Sequence, residues 1–506
     1  MSKHEHHSIG TRTVRGMVWA YSSYVGGRLL VLVATAILAR LLNPSDFGLV
    51  ALALSIIALL EGISNFGLGQ ALVIQDDDVV HERAETVFVS SVALGFLLSL
   101  VMVAFSPLLA SFFDEPELTP IAAVLGATTF LRSLGVTHYS LAQRGLDFRV
   151  RTIAEVAEVV LRGAVGIGLA LAGFGAWSLV LGYLAGTLAL DIAIWSLVPW
   201  RPKLRPSRAD LGKLLRFGGT LSAVDVTAAL IANVDYLFIG RALGPAALGL
   251  YTLGFRLPQL VIANMATVAG KVLFPAFSTL DARGFQRGFL VSVRYIWLIT
   301  LPLATGIALL AEPLVLAVFG DQWEGAAIPM QIITIYSFAV TVGYPAGTAY
   351  KASGRAGVLL MLAVARLLAV TAALWIFVDQ GIGAAAACQA AVAGAAAVVG
   401  ILLASRLLKV RLTDIGRQIW PAVAATAIMA PVVFAISRLI ESPWLTVLLG
   451  GAAGAAAYLF TLMVIAPDAI HYLRRKLRPA PNEPAPDPEP ELTALTGEEA
   501  PPPPRP

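Results

Sequence analysis

Charged side chains are scarce in this chain of 506 residues. Asp, Glu, Lys and Arg make up 13% of the residues, whereas hydrophobic ones make up 58%. A water-soluble protein carries about 25% charged residues, because charge covers its surface. The mean hydropathy is +0.78, and many apolar runs reach the length of about 18 residues at which a helix can cross a bilayer. The composition therefore predicts an all-α integral membrane protein.

Cysteine is nearly absent, and the common catalytic motifs are absent. Cys388 is the only cysteine, so an intramolecular disulfide is excluded, and its Ala-rich surroundings indicate a packing role. The chain has no P-loop, no GxSxG and no HExxH motif, which excludes ATP hydrolysis by this chain and gives no sign of an enzyme. His4, His6 and His7 cluster near the start, where a solvated tail is a better interpretation than a metal site. We expect no cofactor, no metal and no nucleic-acid partner.

The apolar runs predict about fourteen membrane-spanning helices joined by short loops. The first run, which begins at Val14, is too long for a cleaved signal peptide and is predicted to be the first helix. The predicted limits are 14–40, 47–68, 86–112, 118–142, 152–172, 175–198, 214–241, 248–274, 288–318, 327–350, 357–379, 382–405, 418–439 and 443–466.

The chain contains an internal repeat. Residues 37–52 (ILARLLNPSDFGLVAL) match residues 238–253 (FIGRALGPAALGLYTL) at an offset of 201, so that Arg40, Pro44 and Gly48 correspond to Arg241, Pro245 and Gly249. PLLASFF (107–113) matches PLVLAVF (313–319) at an offset of 206, and GFGA (173–176) matches GIGA (381–384) at 208. Three matches in the same order predict one unit used twice, an arrangement typical of transporters that bind substrate between their halves.

The repeat and the loop charges together predict the domain organisation. Lys and Arg concentrate in alternate loops, with Arg201, Lys203, Arg205 and Arg208 after the sixth helix, whereas the other loops hold only Arg40, Arg241 and Arg438. Because positive loops stay in the cytoplasm, both termini are predicted to be cytoplasmic. The predicted parts are a cytoplasmic N-tail (1–13), an N-lobe of helices 1–6 (14–198), a basic cytoplasmic linker (199–213), a C-lobe of helices 7–12 (214–405) related to the N-lobe by a pseudo-twofold axis, helices 13 and 14 (406–466), and a basic, then Pro- and Glu-rich disordered tail (467–506).

The most informative residues are charges inside the predicted helices. Each costs at least about 2.5–3.5 kcal/mol at the bilayer centre, so it must face a partner or a hydrated cavity. The basic residues are Arg28, Arg132, Arg162, Arg256, Arg294 and Arg366, and the acidic ones are Glu61, Glu155, Glu158, Asp191, Asp225 and Asp235. Glu158 and Arg162 are four residues apart and are predicted to form a local salt bridge.

Neither Arg28 nor Arg256 has an acidic residue three or four positions away. They belong to helices 1 and 8, one in each lobe, so they could meet across a central cleft. The guanidinium group stays charged and forms bidentate hydrogen bonds with phosphate. Anion binding and structural pairing both remain open for these two. Arg132, Arg294 and Arg366 are further candidate cavity charges, and Glu61, Asp225 and Asp235 are candidates for binding a coupling ion.

The stretch from Ile37 to Val73 (ILARLLNPSDFGLVALAL…FGLGQALV) resembles the polysaccharide-transporter branch of the multidrug/oligosaccharidyl-lipid/polysaccharide exporter superfamily. GFGAWSLV (173–180), WRPKL (200–204), LLRFGGTL (214–221) and YLFIGRALGPAALGLY (236–251) extend the resemblance over roughly residues 10–470. In the related lipid II flippases, an arginine on the first helix and an Arg-Leu pair on the eighth line the cavity. Arg28, twelve residues before Arg40, and Arg256-Leu257 look like these positions.

The resemblance implies a flippase with two six-helix lobes and two extra C-terminal helices. It would move undecaprenyl-pyrophosphate-linked oligosaccharide repeat units across the bacterial inner membrane by alternating access, for lipopolysaccharide or exopolysaccharide biosynthesis. Arg28 and Arg256 would hold the pyrophosphate, and the membrane potential, H⁺ or Na⁺ would supply the energy. The expected partners are the lipid-linked cargo, membrane lipids, and a glycan polymerase with its assembly proteins.

Three rival functions are weighed against this one. A membrane glycan polymerase or ligase would need a long extracytoplasmic loop, which the predicted helices leave no room for. A cation-coupled multidrug exporter would rely on acidic cavity residues more than on arginines. A scaffold for a glycan-assembly complex would use its membrane charges only in internal pairs.

Overall fold

The computed structural model consists of long apolar helices. It describes residues 26–64, 69, 72, 80–145, 147–204, 206–263 and 282–467. The side chains of 63–64, 80–82, 148, 208–225, 282–283 and 356 lie outside that description. Eleven helical segments of the described residues are long and apolar enough to cross a membrane, and no strand occurs in these ranges. The predicted tails, 1–13 and 467–506, fall almost entirely outside the described residues.

The helices are numbered here in chain order. They are α1 (26–41), α2 (Pro44–Ser64), α3 (Val80–Phe113), α4 (Leu118–Arg144), α5 (Phe148–Leu171), α6 (Ala176–Leu197), α7 and α8 (the two parts of Arg208–Pro258, before and after Gly244), α9 (Ala282–Leu309), α10 (Ala311–Val318), α11 (Ala327–Ala352), α12 (Ala356–Phe377), α13 (Ile382–Leu407), α14 (Leu412–Leu439) and α15 (Pro443–Ile465).

The eleven apolar segments and the fourteen predicted helices describe the same architecture. The helix α5 lies where a span is predicted, but Glu155, Glu158 and Arg162 make it too charged for the apolar set. The helix α1 is described only from residue 26, and α7 and α8 are counted together as one segment. The prediction of an all-α membrane protein with about fourteen spanning helices is confirmed.

Several helix boundaries differ by a few residues from the sequence prediction, and two of the differences change how the helices are connected. The predicted ninth span, 288–318, is two helices that break at Leu310. Pro313 explains the break, because proline has no N–H to donate and its ring clashes with the carbonyl four residues earlier. In addition, α7 begins at Arg208, inside the segment predicted as a basic linker, so that the described connection after α6 is shorter than expected.

Helix packing follows the repeat. In the N-lobe α3 packs on α4, α5 on α6, and α4 on α6; in the C-lobe α9 packs on α11, α12 on α13, and α11 on α13. The last two helices pack on each other and cover the C-lobe, with α14 against α9 and α15 against α10. The structure therefore has two lobes of equivalent helix order and two additional helices at one side.

The lobes cross most closely where the repeated motif occurs. A Cβ atom at Gly48 would lie 1.7 Å from the Pro245 carbonyl oxygen, and one at Gly249 would lie 1.9 Å from the Pro44 carbonyl oxygen. The contact is reciprocal, because each glycine of one copy meets the proline of the other copy. Only glycine permits this approach of two backbones, so the repeat encodes an interface between the lobes.

The same end of the molecule holds the polar contacts between the lobes. The Arg40 guanidinium donates to the carbonyl oxygens of Ala317 (2.5 Å) and Val318 (3.3 Å), at the C-terminal end of α10. Its repeat equivalent, Arg241, forms an ion pair of 2.8 Å with Asp114, which follows the C-terminal end of α3. Cations are stabilised at such helix ends, and each arginine crosses to the opposite lobe. We call this region the closed end.

A buried tryptophan completes the closed end. Trp323 is fully buried, stacks edge-on against Phe47 with ring centroids 5.1 Å apart, and donates its indole N–H to the Ala39 carbonyl at 2.7 Å. The side chain of the neighbouring Gln322 donates to the carbonyl oxygens of Ala39 and Leu42. The last carbonyls of α1, which lack partners within the helix, are therefore satisfied by the C-lobe.

Candidate functional site

A cavity of about 290 Å³ lies between the lobes, below the closed end. Its walls come from α1, α2, α5 and α6 of the N-lobe and from α7 and α8 of the C-lobe. The polar groups on these walls include Arg162, Tyr183, Asn233, Tyr236 and Arg256. We call it the interlobe cavity. It occupies the position between two repeats where transporters of this architecture bind their substrates.

Arg28 and Arg256 meet at the edge of this cavity. Both line a small adjoining cavity of about 40 Å³, with Val31, Leu32, Gln259 and Leu260. Arg256 and Gln259 also line the interlobe cavity, so the two spaces share a wall. The structure thus brings together the two arginines that the sequence placed on helices 1 and 8 of opposite lobes.

Arg162 is a third arginine at the same place. Arg256 lies close enough to Arg28 and Arg162 to be repelled by the charge of both. The Arg256 side chain is solvent-accessible although protein atoms surround it densely, as expected for a group that faces an internal hydrated space. Among the described residues, no carboxylate forms an ion pair with Arg256. An anion in this cavity would relieve the repulsion that Arg256 experiences from the other two arginines.

The backbone around Arg256 is locally irregular. Pro258 follows two residues later, and Gln259–Ala263 form a π-helical turn. Pro258 cannot continue the regular hydrogen-bond ladder, and π-helical turns are frequent at functional sites. Phe255 packs edge-on against Tyr236 and Tyr336, with ring centroids 6.2 and 5.6 Å apart. The aromatic layer fixes the part of α8 from which Arg256 extends.

A second group of charges lies within the N-lobe. Arg132 pairs with Glu158 (3.2 Å) and with Glu61 (3.5 Å), and Glu158 also accepts a hydrogen bond from Arg162. Both guanidinium groups lie over the Tyr183 ring, at 5.4 Å for Arg132 and 4.4 Å for Arg162. The predicted salt bridge between Glu158 and Arg162 is confirmed, and it is one part of a network that joins α2, α4, α5 and α6.

The N-lobe network faces another cavity, of about 490 Å³. Among the described residues, carboxylates of Glu61, Glu155, Glu158 and Asp191 line it together with one arginine, Arg132. We call it the acid-rich cavity. Asp191 packs so closely on α4 that a Cβ atom at Gly135 would lie 2.3 Å from its Oδ1 atom. Glycine at this position leaves the space that the carboxylate occupies.

The other predicted arginines are distributed differently. Arg366 donates to the Tyr336 hydroxyl at 3.2 Å. Tyr336 packs on Phe255, which lines the interlobe cavity, so Arg366 contacts the aromatic residues next to the cavity and does not line the cavity itself. Arg294, on α9, is half-buried and lines none of the three cavities described above. Only Arg132 of these three candidates reaches a cavity, and there it is paired with carboxylates.

The predicted ion-coupling residues also have separate surroundings. Asp235 is fully buried and accepts hydrogen bonds from the Tyr251 hydroxyl (2.7 Å) and the Tyr236 amide (3.1 Å). Glu61 lies in the N-lobe network. The Asp225 side chain lies outside the described part of the chain. Among the described residues, no cluster of three or more His, Cys, Asp or Glu could hold a metal ion.

Sequence reasoning did not select Arg162, Tyr183 or Asp191 as site residues. Arg162 has Glu158 one turn away, so the spacing indicated a local salt bridge and hid its position on the cavity wall. Tyr183 and Asp191 are eight residues apart on α6, on the same face of the helix. That face could have been singled out, because a carboxylate at membrane depth needs a partner or a cavity.

Comparison with known proteins decides the family. The family model described as polysaccharide biosynthesis protein matches residues 37–328, more than half of the chain. The chain belongs to this family. The predicted membership in the polysaccharide-transporter branch is confirmed, and the membership argues against a polymerase or ligase.

The relatives and the solved structures agree with this assignment. The chain is 27% identical over 372 residues to the succinoglycan biosynthesis transport protein ExoT of Rhizobium meliloti (72% of this chain, 74% of the relative). It is 25% identical over 484 residues to the teichuronic acid biosynthesis protein TuaB of Bacillus subtilis (93% and 99%). The lipid II flippase MurJ, in an inward closed conformation, shares the fold with a TM-score of 0.75 at 13% identity (90% and 100%). An inward-facing multidrug resistance transporter of the MATE family has a TM-score of 0.62 at 19% identity (76% and 94%).

Proposed function

We propose that this protein is a flippase that moves undecaprenyl-pyrophosphate-linked oligosaccharides from the cytoplasmic to the outer leaflet of the bacterial inner membrane. The observation that carries the proposal is the position of three arginines at one place between the lobes: Arg162 and Arg256 line the interlobe cavity, and Arg28 lines the small cavity that adjoins it. A pyrophosphate group offers several anionic oxygens, which arginine binds with paired, charge-assisted hydrogen bonds. The names of the relatives, which concern succinoglycan and teichuronic acid biosynthesis, support a polysaccharide precursor as the cargo.

The closed end supports alternating access. By the charge of its loops this end faces away from the cytoplasm, so the described state is sealed on the outside. The pyrophosphate would bind from the cytoplasmic leaflet between the lobes, the sugars would occupy hydrated space, and the prenyl chain would stay in lipid. Transport then requires that the contacts of Arg40, Arg241 and Trp323 across the lobes break.

The membrane potential is the energy source that needs the fewest assumptions. A pyrophosphate diester carries about two negative charges, and the cell interior is negative. Outward movement of uncompensated charge gains about 2.3 kcal/mol per charge for each 100 mV. A K⁺ diffusion potential imposed on proteoliposomes should therefore change the initial rate of flipping, with opposite effects for opposite signs of the potential.

A flipping assay with purified protein tests the site. Proteoliposomes would contain an undecaprenyl-pyrophosphate-linked oligosaccharide with a fluorescent sugar, and dithionite would quench the label that reaches the outer leaflet. Each lost charge-assisted interaction costs about 1.5–3 kcal/mol, so Arg28→Ala or Arg256→Ala should lower the rate at limiting cargo at least about tenfold. Arg438→Ala is the matched control, because Arg438 is exposed and stacks on Phe434 away from the cavities. Full transport by the double variant Arg28→Ala/Arg256→Ala would reject the site.

A further inference from the structure

The end of the C-lobe opposite the closed end carries many exposed basic side chains. The start of α9, the loop between α11 and α12, and the loop between α13 and α14 meet there around one buried apolar cluster that includes Tyr350 and Leu408. We call the surface formed by residues 284–290, 349–358 and 404–417 the basic face. Its exposed basic residues include Arg287, Lys351, Arg355, Arg406, Lys409 and Arg411.

These six basic side chains are not neutralised within the described part of the chain. No described carboxylate forms an ion pair with any of them, and Asp414 is the only acidic residue of the face. The corresponding end of the N-lobe differs, because Arg144 and Arg201 donate to backbone carbonyls and Arg151 pairs with Glu155. The positive charge of the C-lobe is therefore free to bind an anionic partner.

The chain itself contains a segment of opposite charge. Residues 483–499 lie outside the described residues and hold six carboxylates and no basic side chain. We call this stretch the acidic segment. Proline occupies every second position from 484 to 490, which reduces the conformational freedom that the segment would lose on binding. Its charge complements that of the basic face. The carboxylates belong to Glu483, Asp487, Glu489, Glu491, Glu498 and Glu499.

The acidic segment is attached near the basic face. A loop of three residues, 440–442, joins α14 to α15, so the two helices are antiparallel and α15 ends on the side where α14 begins. Ala466, directly after α15, shares a buried cluster with Ala422, which lies about 15 Å along α14 from its first residue. The residues from 468 to 482 span up to about 50 Å. The segment can therefore reach the face, and the tether keeps its local concentration in the millimolar range.

We propose that the acidic segment docks on the basic face of the C-lobe in the same molecule. Its carboxylates pair with Arg355 and Arg411, which directly precede α12 and α14, and with the basic side chains around them. A single exposed ion pair is weak, but several pairs act together when one partner is tethered. The competing partners are anionic lipid headgroups, which basic juxtamembrane residues attract, and the tail's own basic residues at 474–478. The docking does not depend on which cargo the protein carries.

Double electron–electron resonance on the full-length protein tests the docking. Spin labels at Thr493→Cys in the acidic segment and at Thr413→Cys, which is exposed on the basic face, are introduced into the Cys388→Ala background. Nanodiscs that hold one copy of the protein contain phosphatidylglycerol, an anionic lipid, beside phosphatidylcholine. We expect a narrow distribution of short distances at about 0.1 M NaCl and a broad distribution at about 1 M NaCl, because the Debye length falls from about 10 Å to about 3 Å.

Three charge reversals at the starts of helices locate the contact. Arg355→Glu and Arg411→Glu place a carboxylate at a helix N-terminus, where it is favourable, so both variants should fold. Each should lower the ratio of docked to free segment about two- to fivefold. Arg149→Glu is the matched control, because Arg149 is exposed in the first turn of α5 in the N-lobe, and it should leave the ratio unchanged. The short distances should disappear when the segment is neutralised by Glu483→Gln, Asp487→Asn, Glu489→Gln and Glu491→Gln together.

Four outcomes would overturn the proposal. A broad distribution at low salt would show that the segment is not docked. Short distances that occur in pure phosphatidylcholine but not beside phosphatidylglycerol would show that lipid headgroups occupy the face. Short distances that persist unchanged in both Arg355→Glu and Arg411→Glu would show that the segment pairs elsewhere, for example with residues 474–478. An equal loss in Arg149→Glu would show an effect of net charge without a specific surface.

Discussion

The crossing of Gly48 and Pro245 permits a direct test of the closed end. A Cβ atom at Gly48 would lie 1.7 Å from the carbonyl oxygen of Pro245 and 2.5 Å from its carbonyl carbon. Carbon and oxygen atoms approach to about 3.3 Å in favourable contacts, so Gly48→Ala forces the backbones apart by about 1.5 Å. The clash is with backbone, and no side-chain rotation can relieve it. Gly249→Ala should act equally, because its Cβ would meet the Pro44 carbonyl.

The strain should shift the protein toward a state that is open at this end. Overpacking of a tight contact costs about 1–3 kcal/mol, which lowers the population of the closed state relative to the open one by about 5- to 150-fold. Spin labels at Ser111→Cys and Asp321→Cys, both exposed at the closed end but on opposite lobes, report the separation by double electron–electron resonance. The background needs only Cys388→Ala, since the chain has a single cysteine.

Gly451→Ala provides the control for the effect of alanine in a helix. Gly451 lies in α15, and nothing lies within 4 Å of the position that a Cβ atom would take there. Alanine at this position should stabilise the helix slightly and leave the distances between labels unchanged. A distance distribution in Gly48→Ala that matches both Gly451→Ala and the unmutated background would refute the view that this crossing seals the protein.

Two further predictions concern the same end. In the spin-label measurement, Arg40→Ala should increase the distance between the labels more than Arg241→Ala does. Arg40 donates to two carbonyl oxygens of the opposite lobe. The side chains of the Arg241–Asp114 pair are half or more exposed, and such a pair contributes about 0–1 kcal/mol. Equal shifts would contradict this ranking. Trp323→Ala removes a fully buried ring and should lower the free energy of unfolding by about 3–5 kcal/mol, measured as a lower melting temperature. Trp323→Phe should lose less, about 1–3 kcal/mol, since the smaller ring keeps part of the packing but gives up the hydrogen bond to Ala39 and leaves a small cavity.

The sequence predicted those features of the site that follow from which helix carries which residue. Arg28 and Arg256 were assigned to helices 1 and 8 of a duplicated chain, and this assignment alone indicated that they could meet across a central cleft. The repeat also predicted the two lobes. These inferences succeed because apolar periodicity and local spacing are properties of short segments, which one sequence displays directly.

The rest of the site depends on how helices rotate against each other, which one sequence does not display. The pairing of Glu61 with Arg132 joins α2 to α4, and nothing in the spacing of either helix indicates it. Arg162 could satisfy a local salt bridge and still face the cavity, and only the packing of α5 on α6 shows that it does both. The break at Leu310 was also missed, although Pro313 signalled it, because the apolar run continues through the proline.

The residues that seal the closed end are related by the internal repeat, whereas the arginines of the proposed binding site are not. Gly48 and Gly249, and likewise Arg40 and Arg241, are related by the offset of 201 and form reciprocal contacts between the lobes. The interlobe cavity does not follow this symmetry. At the same offset Arg28 corresponds to Ala229, and Arg256 corresponds to Ser55, which lines the interlobe cavity.

This difference has a physical reason. Closing one end requires that each lobe fit the other, so equivalent residues meet and the two copies keep the same glycine, proline and arginine. A lipid-linked glycan has no twofold symmetry, because its anionic, hydroxylated and apolar parts follow one another along the molecule. A symmetric cavity would present the same groups to all of these parts. Arg28 and Arg256 have no arginine at the equivalent position of the other repeat, which makes the space between the lobes asymmetric in the sense that such a cargo requires.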